Sequence, residues 1–183
     1  MLGFRKERRR NMRRSLVLLA GIVSTLILGA TAAVAAPPVG ATLQGSSDGV
    51  VGFCAGSAFT VSGSYSGNGA LGNGTYSGTV TRLGGCGDIG IGFVSLGPST
   101  PVTATFTFSG PGGSFTASGS GESLYSVGGA HVTFFPTTVT LTVADGTKRY
   151  KHAVGSLSLS VEAGYNGYDN STWSSGTLTG SIG

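Results

Sequence analysis

Charge is scarce in this chain, at 10% of residues, and seven of its eleven cations fall within the first fourteen positions. Histidine and cysteine occur only twice each, tryptophan once, and both methionines precede residue 13. His131 and His152 lie in no H-x-H or H-E-x-x-H spacing, and no Cys/His cluster exists, which argues against a zinc centre. No G-x-S-x-G nucleophile elbow is present. Gly67-Asn68-Gly69-Ala70-Leu71-Gly72 and Gly85-Cys86-Gly87-Asp88-Ile89-Gly90 both fit G-x-G-x-x-G, but neither opens a helix, so neither reads as a dinucleotide site. The expectation is therefore no catalytic constellation, no metal and no cofactor. Helix-forming Glu, Lys, Leu and Gln are thin after residue 35, which points away from helical folds.

The one long apolar run, from Ser15 to Gly29, follows Arg5, Lys6, Arg8, Arg9, Arg10, Arg13 and Arg14 and precedes Ala33-Val34-Ala35. A basic start, an apolar stretch and an A-x-A site describe a secretory signal peptide over residues 1–35, with cleavage expected after Ala35. Retention as an anchor is the alternative, since Ser15 to Ala36 is long enough to span a bilayer. Arg13-Arg14-Ser15-Leu16-Val17 partly resembles a twin-arginine motif, with Met12 where Ser or Thr is usual. Residues 36–183 are then one secreted domain of 148 residues. Losing seven of eleven cations and one of seven acids leaves four against six, a net charge of −2. That balance argues against a nucleic-acid partner, which needs many phosphate-neutralising side chains. The expected location is extracellular or the cell envelope, with membrane contact only through the signal peptide before its cleavage.

What the chain has in abundance is glycine, 34 residues, with Ser and Thr alternating against apolar side chains. Phe59, Val61 and Tyr65 alternate with Thr60, Ser62 and Ser64. Tyr76, Gly78 and Val80 share a face. Val102, Ala104, Phe106 and Phe108 alternate with Thr103, Thr105 and Thr107, and Gly110-Pro111-Gly112-Gly113 then signals a hairpin into Phe115 and Ala117. Further strands are expected over residues 41–45, 49–54 and 88–96, over a long run from His131 to Val143 bent at Pro136, and over 156–161 and 175–182, where Leu178 and Ile182 face inward. A polar loop is expected from Gly164 to Ser174. About eight to ten short strands with turn signals and no helix indicate an all-β antiparallel barrel, or alternatively a β-sandwich. Cys54 and Cys86, an even pair in an exported chain, are expected to form a disulfide. Closing that loop would contribute roughly 3–4 kcal/mol.

Gly146-Thr147-Lys148-Arg149-Tyr150-Lys151-His152-Ala153-Val154-Gly155-Ser156-Leu157 resembles a signature of exported bacterial β-barrels related to allene oxide cyclase and dirigent proteins, roughly G-T-G-R-F-x-G-A-x-G-S before an alternating strand. Gly176-Thr177-Leu178-Thr179-Gly180-Ser181-Ile182 is similar to their closing strand. Lys148 departs from a Gly, and Lys151-His152 from a small pair. The resemblance implies a calycin-like barrel able to enclose a small apolar ligand, and none of that family's functional residues aligns with a position here.

Two groups of side chains carry what chemistry there is. Lys148, Arg149, Lys151 and His152 form a basic connector. If it makes one helical turn, Tyr150 and Ala153 share a face and plug a barrel end while Lys148, Lys151 and His152 stay solvated. Tyr165, Tyr168, Asp169 and Trp173 offer aromatic faces with polar neighbours, a chemistry suited to a glycan. Glu122 and Glu162 are the least implausible carboxylate pair for glycoside hydrolysis. The expected function is a non-catalytic binding or structural module, with an isomerase- or cyclase-like enzyme acting on a small apolar ligand, or a surface carbohydrate binder, as alternatives.

Overall fold

Alternation of apolar and hydroxyl side chains at a period of two places one set on each face of a strand. The computed structural model describes residues 36–48, 56–84, 99–124, 126–128 and 132–183. The expected signal peptide, the expected strands over 49–54 and 88–96, Cys54, Cys86 and His131 lie outside the described residues. Residues 36–183 form one compact unit.

The strands are β1 (Pro38–Asp48), β2 (Ala58–Gly67), β3 (Asn73–Arg82), β4 (Thr100–Gly110), β5 (Gly113–Ser123), β6 (Ser126–Gly128), β7 (Val132–Gly146), β8 (Gly155–Asn166) and β9 (Ser171–Ile182). Each pairs antiparallel with its neighbour, β5 pairs β7, and β9 returns to pair β1, so eight strands close an up-and-down barrel. The short β6 extends the β5 edge along the first part of β7. Closure removes the sheet edges that an open sandwich would expose, and the sandwich alternative is set aside. Pairing of β5 with β7 shifts register at Thr116/Ala117, with Ala144 as the extra residue, a bulge of the kind that re-aims a strand.

One end of the barrel, here called proximal, gathers Pro38, the turn after β2, the β4–β5 hairpin, residues 147–154 and Ile182. The distal end gathers Asp48, Arg82, Thr100, Ser123 and the β8–β9 turn. Inside, the apolar sets meet as expected. Phe106, Phe108 and Leu159 are 0% exposed and Phe115 is 1%. Phe108 stacks on Phe115 at 5.1 Å between centroids and on Phe106 at 6.1 Å, with the Tyr65 ring edge-on at 5.8 Å. Gly78 makes room for this packing, because a β-carbon there would collide with the Phe106 ring. Such large–small alternation is how a small barrel fills its interior.

The interior turns polar toward the distal end. Ser47, Arg82, Ser123, Thr137 and Ser174 are all buried. Tyr76 and Ser174 share a 2.8 Å hydrogen bond, Ser174 Oγ donates to the Ser46 carbonyl at 3.1 Å, and Ser47 Oγ donates to the Gly164 carbonyl at 2.9 Å. The Arg82 guanidinium lies 4.3 Å from the Phe135 ring centroid, a cation–π contact. Burial pushes the Tyr76 phenol up from its ordinary value, and the Ser174 hydrogen bond only partly offsets this.

Candidate functional site

The basic connector becomes a strap across the proximal end. Thr147 is extended and ties the strap to the β4–β5 hairpin: its N–H donates to the Ser114 carbonyl at 2.8 Å, and its Oγ1 accepts from the Ser114 N–H at 3.0 Å. Lys148–Tyr150 then form a single 3-10 turn. The Tyr150 N–H donates to the Thr147 carbonyl and the Ala153 N–H to the Tyr150 carbonyl, both at 2.9 Å. Tyr150, 4% exposed, drops onto Phe115 at 5.1 Å between centroids, and Ala153 packs beside the core. Lys148, Lys151 and His152 stay in solvent. Lys148 has φ 50° and His152 φ 100°, values rare for non-glycine residues, found where surroundings hold the backbone against its preference.

Arg149 takes a role that its charge alone did not suggest. Its guanidinium stacks over the Tyr150 ring at 4.9 Å and occupies the space that a β-carbon at Gly112 would need. Nη2 donates to Tyr150 Oη at 2.7 Å, to the Leu71 carbonyl at 3.4 Å and to the Ala70 carbonyl. Tyr150 Oη donates in turn to the Ala70 carbonyl at 2.8 Å. Arg149 is thus a clamp that pins the turn after β2 to the strap. That turn contributes Leu71, 1% exposed, to the core. Beneath the strap, the Tyr65 phenol is pushed up first by burial and then by the nearby Tyr150, against a smaller lowering by Arg149.

At the distal end the expected loop from Gly164 to Ser174 is a correction. β8 runs on to Asn166 and β9 starts at Ser171, leaving four connecting residues. Tyr165 and Trp173 therefore sit on strands. Gly164 pairs with Trp173 and Tyr165 with Thr172, so Tyr165 and Trp173 point to opposite faces. The Tyr165 ring packs against the core at the rim, and its hydroxyl donates to Asn170 Oδ1 at 2.7 Å. The Trp173 ring lies on the outer wall over Gly164, where a β-carbon would strike its indole. Tyr168 projects from the tip, 73% exposed. The Ser171 hydroxyl and N–H hold the exposed Asp169 carboxyl below its usual value. The four residues do not converge on one surface.

Glu122 and Glu162 both stand on the outer wall, on either side of β7, opposite Thr138 and Pro136 respectively. Ser99 Oγ donates to Glu122 at 2.8 Å. Among the described residues no group of three or more His, Cys, Asp or Glu could hold a metal ion.

The wall between the two ends is clad in hydroxyls. Thr60, Thr79, Thr105, Ser118, Thr142, Ser156 and Ser181 are successive register partners across seven strands. Thr81, Thr103, Ser120, Thr140, Ser158 and Thr179 form a second row. Open grooves of about 410 Å³ and 230 Å³ lie on this wall, the larger between β2, β3 and β4, lined by Thr60, Ser62, Ser77, Thr79, Thr105 and Thr107. A transmembrane barrel carries an apolar outer band, and this wall has the reverse polarity. Among the described residues no helix is long and apolar enough to cross a membrane.

No family model, curated protein or solved structure matches this chain. What defines it is its architecture: a closed antiparallel eight-stranded barrel, packed inside and hydroxyl-clad outside.

Proposed function

We propose that the protein is an exported, non-catalytic β-barrel of the cell envelope or extracellular space that acts through its outer surface. The observation that carries this reading is the filled interior. Phe106, Phe108, Phe115 and Leu159 occupy the space in which an allene-oxide-cyclase-like or dirigent-like barrel would enclose its small apolar ligand. The basic start and apolar run before Ala36 support export. A hydroxyl-rich wall suits contact with polar polymers, since each Ser or Thr offers one donor and two acceptor sites. The test is titration with a fluorescent apolar probe such as 1-aminoanthracene, alongside recovery of the protein in envelope and medium fractions. No saturable uptake is expected. Stoichiometric one-to-one uptake would favour the enzyme alternative and overturn this reading.

Trp173 supports a carbohydrate-binding version of the same surface role. Its indole is half-buried on the outer wall against Gly164, where a sugar ring can stack on an aromatic face. A glycan array comparing the native chain with Trp173→Ala tests it, and unchanged binding in the variant removes this version.

A further inference from the structure

The distal half of the outer wall carries a set of side chains that the barrel itself does not use, and strand register brings them together. Ser175 of β9 stands between Gln44 of β1 and Glu162 of β8, its partners on either side. Two residues further along the same faces, Trp173 pairs with Gly164. These positions face outward, because Leu43, Val161, Ala163 and Ser174, with which they alternate, are buried. Directly opposed residues lie about 5 Å apart, and the diagonal from Trp173 to Glu162 is about 7–8 Å, within reach of long side chains. Cε2, Cζ2 and Nε1 of the indole occupy the place of a β-carbon at Gly164, so the ring lies along the wall and Gly164 is buried beneath it. Neighbours at the rim spend their polar groups internally: Tyr165 on Asn170, Asp169 on Ser171, and Ser174 on Tyr76 and the Ser46 carbonyl. Among the described residues, by contrast, the side chains of Gln44, Glu162, Trp173 and Ser175 have no hydrogen-bond or ion-pair partner. Glu162 is half-buried, and a carboxylate partly withdrawn from water without a donor is unfavourable. A ligand that brings hydroxyl donors to it removes that cost.

We propose that Trp173, Glu162, Ser175 and Gln44 form a subsite for one neutral pyranose unit with equatorial hydroxyls, as in a β-linked glucan. The inference rests on the carbohydrate version of the function above and gives it a site. The C–H face of such a sugar stacks on the outward face of the indole. An ionised carboxylate only accepts, so Glu162 takes two adjacent sugar hydroxyls, while the Gln44 amide both donates and accepts and Ser175 does either. Charge sets the class of sugar. Among residues 36–183 the only Lys and Arg are Arg82, Lys148, Arg149 and Lys151. Arg82 is buried inside the barrel and the other three belong to the strap at the proximal end. A uronate or sulfate group would therefore meet the Glu162 carboxylate with no cation to offset the repulsion.

Trp173 is the only tryptophan in the chain, so its emission reports stacking at this place alone. The experiment titrates the full chain at neutral pH with cellohexaose and, in parallel, with hexagalacturonic acid. Trp173 emission is followed in the native chain and in E162Q, and Trp173→Ala is measured by calorimetry. Glu162 stands on the outer wall, so E162Q should keep the native unfolding midpoint. The expected result is a saturable emission change with cellohexaose and none with the uronate. Affinity for cellohexaose should fall about tenfold in E162Q, where a charge-assisted hydrogen bond becomes a neutral one, and binding should be lost in Trp173→Ala. Equal affinity of E162Q and the native chain overturns the subsite and leaves the carbohydrate version standing on the indole alone. A response to hexagalacturonic acid as strong as that to cellohexaose overturns the neutral class of ligand. No change with cellohexaose overturns this proposal, while the glycan array above judges the carbohydrate version separately. Binding of cellohexaose that survives in Trp173→Ala overturns both.

Discussion

Tyr150 is the residue on which the closure of the proximal end is best measured. It is 4% exposed, its ring rests on Phe115, and its hydroxyl is shared between the Arg149 guanidinium at 2.7 Å and the Ala70 carbonyl at 2.8 Å. Tyr150→Phe keeps the ring and removes the hydroxyl. The Ala70 carbonyl retains Arg149 as a donor, so no carbonyl is stranded and the cost is that of the two hydrogen bonds the hydroxyl makes, about 1–3 kcal/mol. Tyr150→Ala also removes the ring from its contacts, which for a buried aromatic costs about 3–5 kcal/mol. For a domain of this size that corresponds to a fall in Tm of roughly 10 °C. Urea unfolding followed by the single tryptophan, Trp173 at the distal end, measures both variants in one assay without a probe at the strap. An unchanged m-value is required for the comparison to hold. Tyr150→Phe combined with Arg149→Met should cost more than the sum of the two single changes, because only the double change strips the Ala70 carbonyl of both donors. If Tyr150→Ala costs under about 1 kcal/mol, or no more than Tyr150→Phe, then the ring does not hold the end shut and the reasoning fails.

Three further outcomes follow from the packing and the titrating groups. Gly78→Val should destabilise by about 1–3 kcal/mol through collision with Phe106, and an unchanged Tm would show that the interior yields there. Tyr65 and Tyr76 both keep their protons above the ordinary tyrosine value of 10.0. The unfolded chain loses them first, so stability should be level below about pH 10 and fall as pH rises beyond it. Urea midpoints across that range check this, and Tyr76→Phe should make the fall shallower. Asp169 is held below the ordinary carboxylate value of 3.8 by Ser171. Its small stabilising effect is present above that value and is lost as pH falls through the folded one. An NMR titration should find the Asp169 carboxyl moved upward in Ser171→Ala, and an unmoved titration would break the assignment.

The strap and the β8–β9 turn show how differently local and distant information enter this molecule. Tyr150 and Ala153 were readable as a plug because residues three apart in a turn share a face, which is a local fact. The clamp by Arg149 was not readable, because its partner carbonyl at Ala70 is 79 residues away and only closure brings the two together. Burial of Arg82 did leave a trace: it stands two residues after Val80, hence on the inward face of β3. The cluster of Tyr165, Tyr168, Asp169 and Trp173 was misread for a related reason. Proximity in sequence suggested one surface, but continuation of β8 and β9 through these residues sends Tyr165 and Trp173 to opposite faces.

By itself, then, the sequence determined which side of each strand is wet. Thr and Ser at every second position cannot be buried in such numbers without partners, while Phe106, Phe108, Val139, Leu157 and Leu159 gain by leaving water. It also determined the hairpin at Gly110–Gly113 and, among the described residues, the absence of helix beyond a single turn. Closure into a barrel, rather than two packed sheets, was decided only by tertiary structure. It depends on pairings such as β1 with β9, whose partners Pro38 and Ser181 lie at opposite ends of the folded chain. Their register is set by the sum of all the intervening strands and the bulge at Ala144, not by any local pattern. Closure also decided where the charges went. Asp48, Glu122, Glu162 and Asp169, spread through the sequence, come together toward the distal end, while the basic run 148–152, contiguous in the sequence, lies at the other.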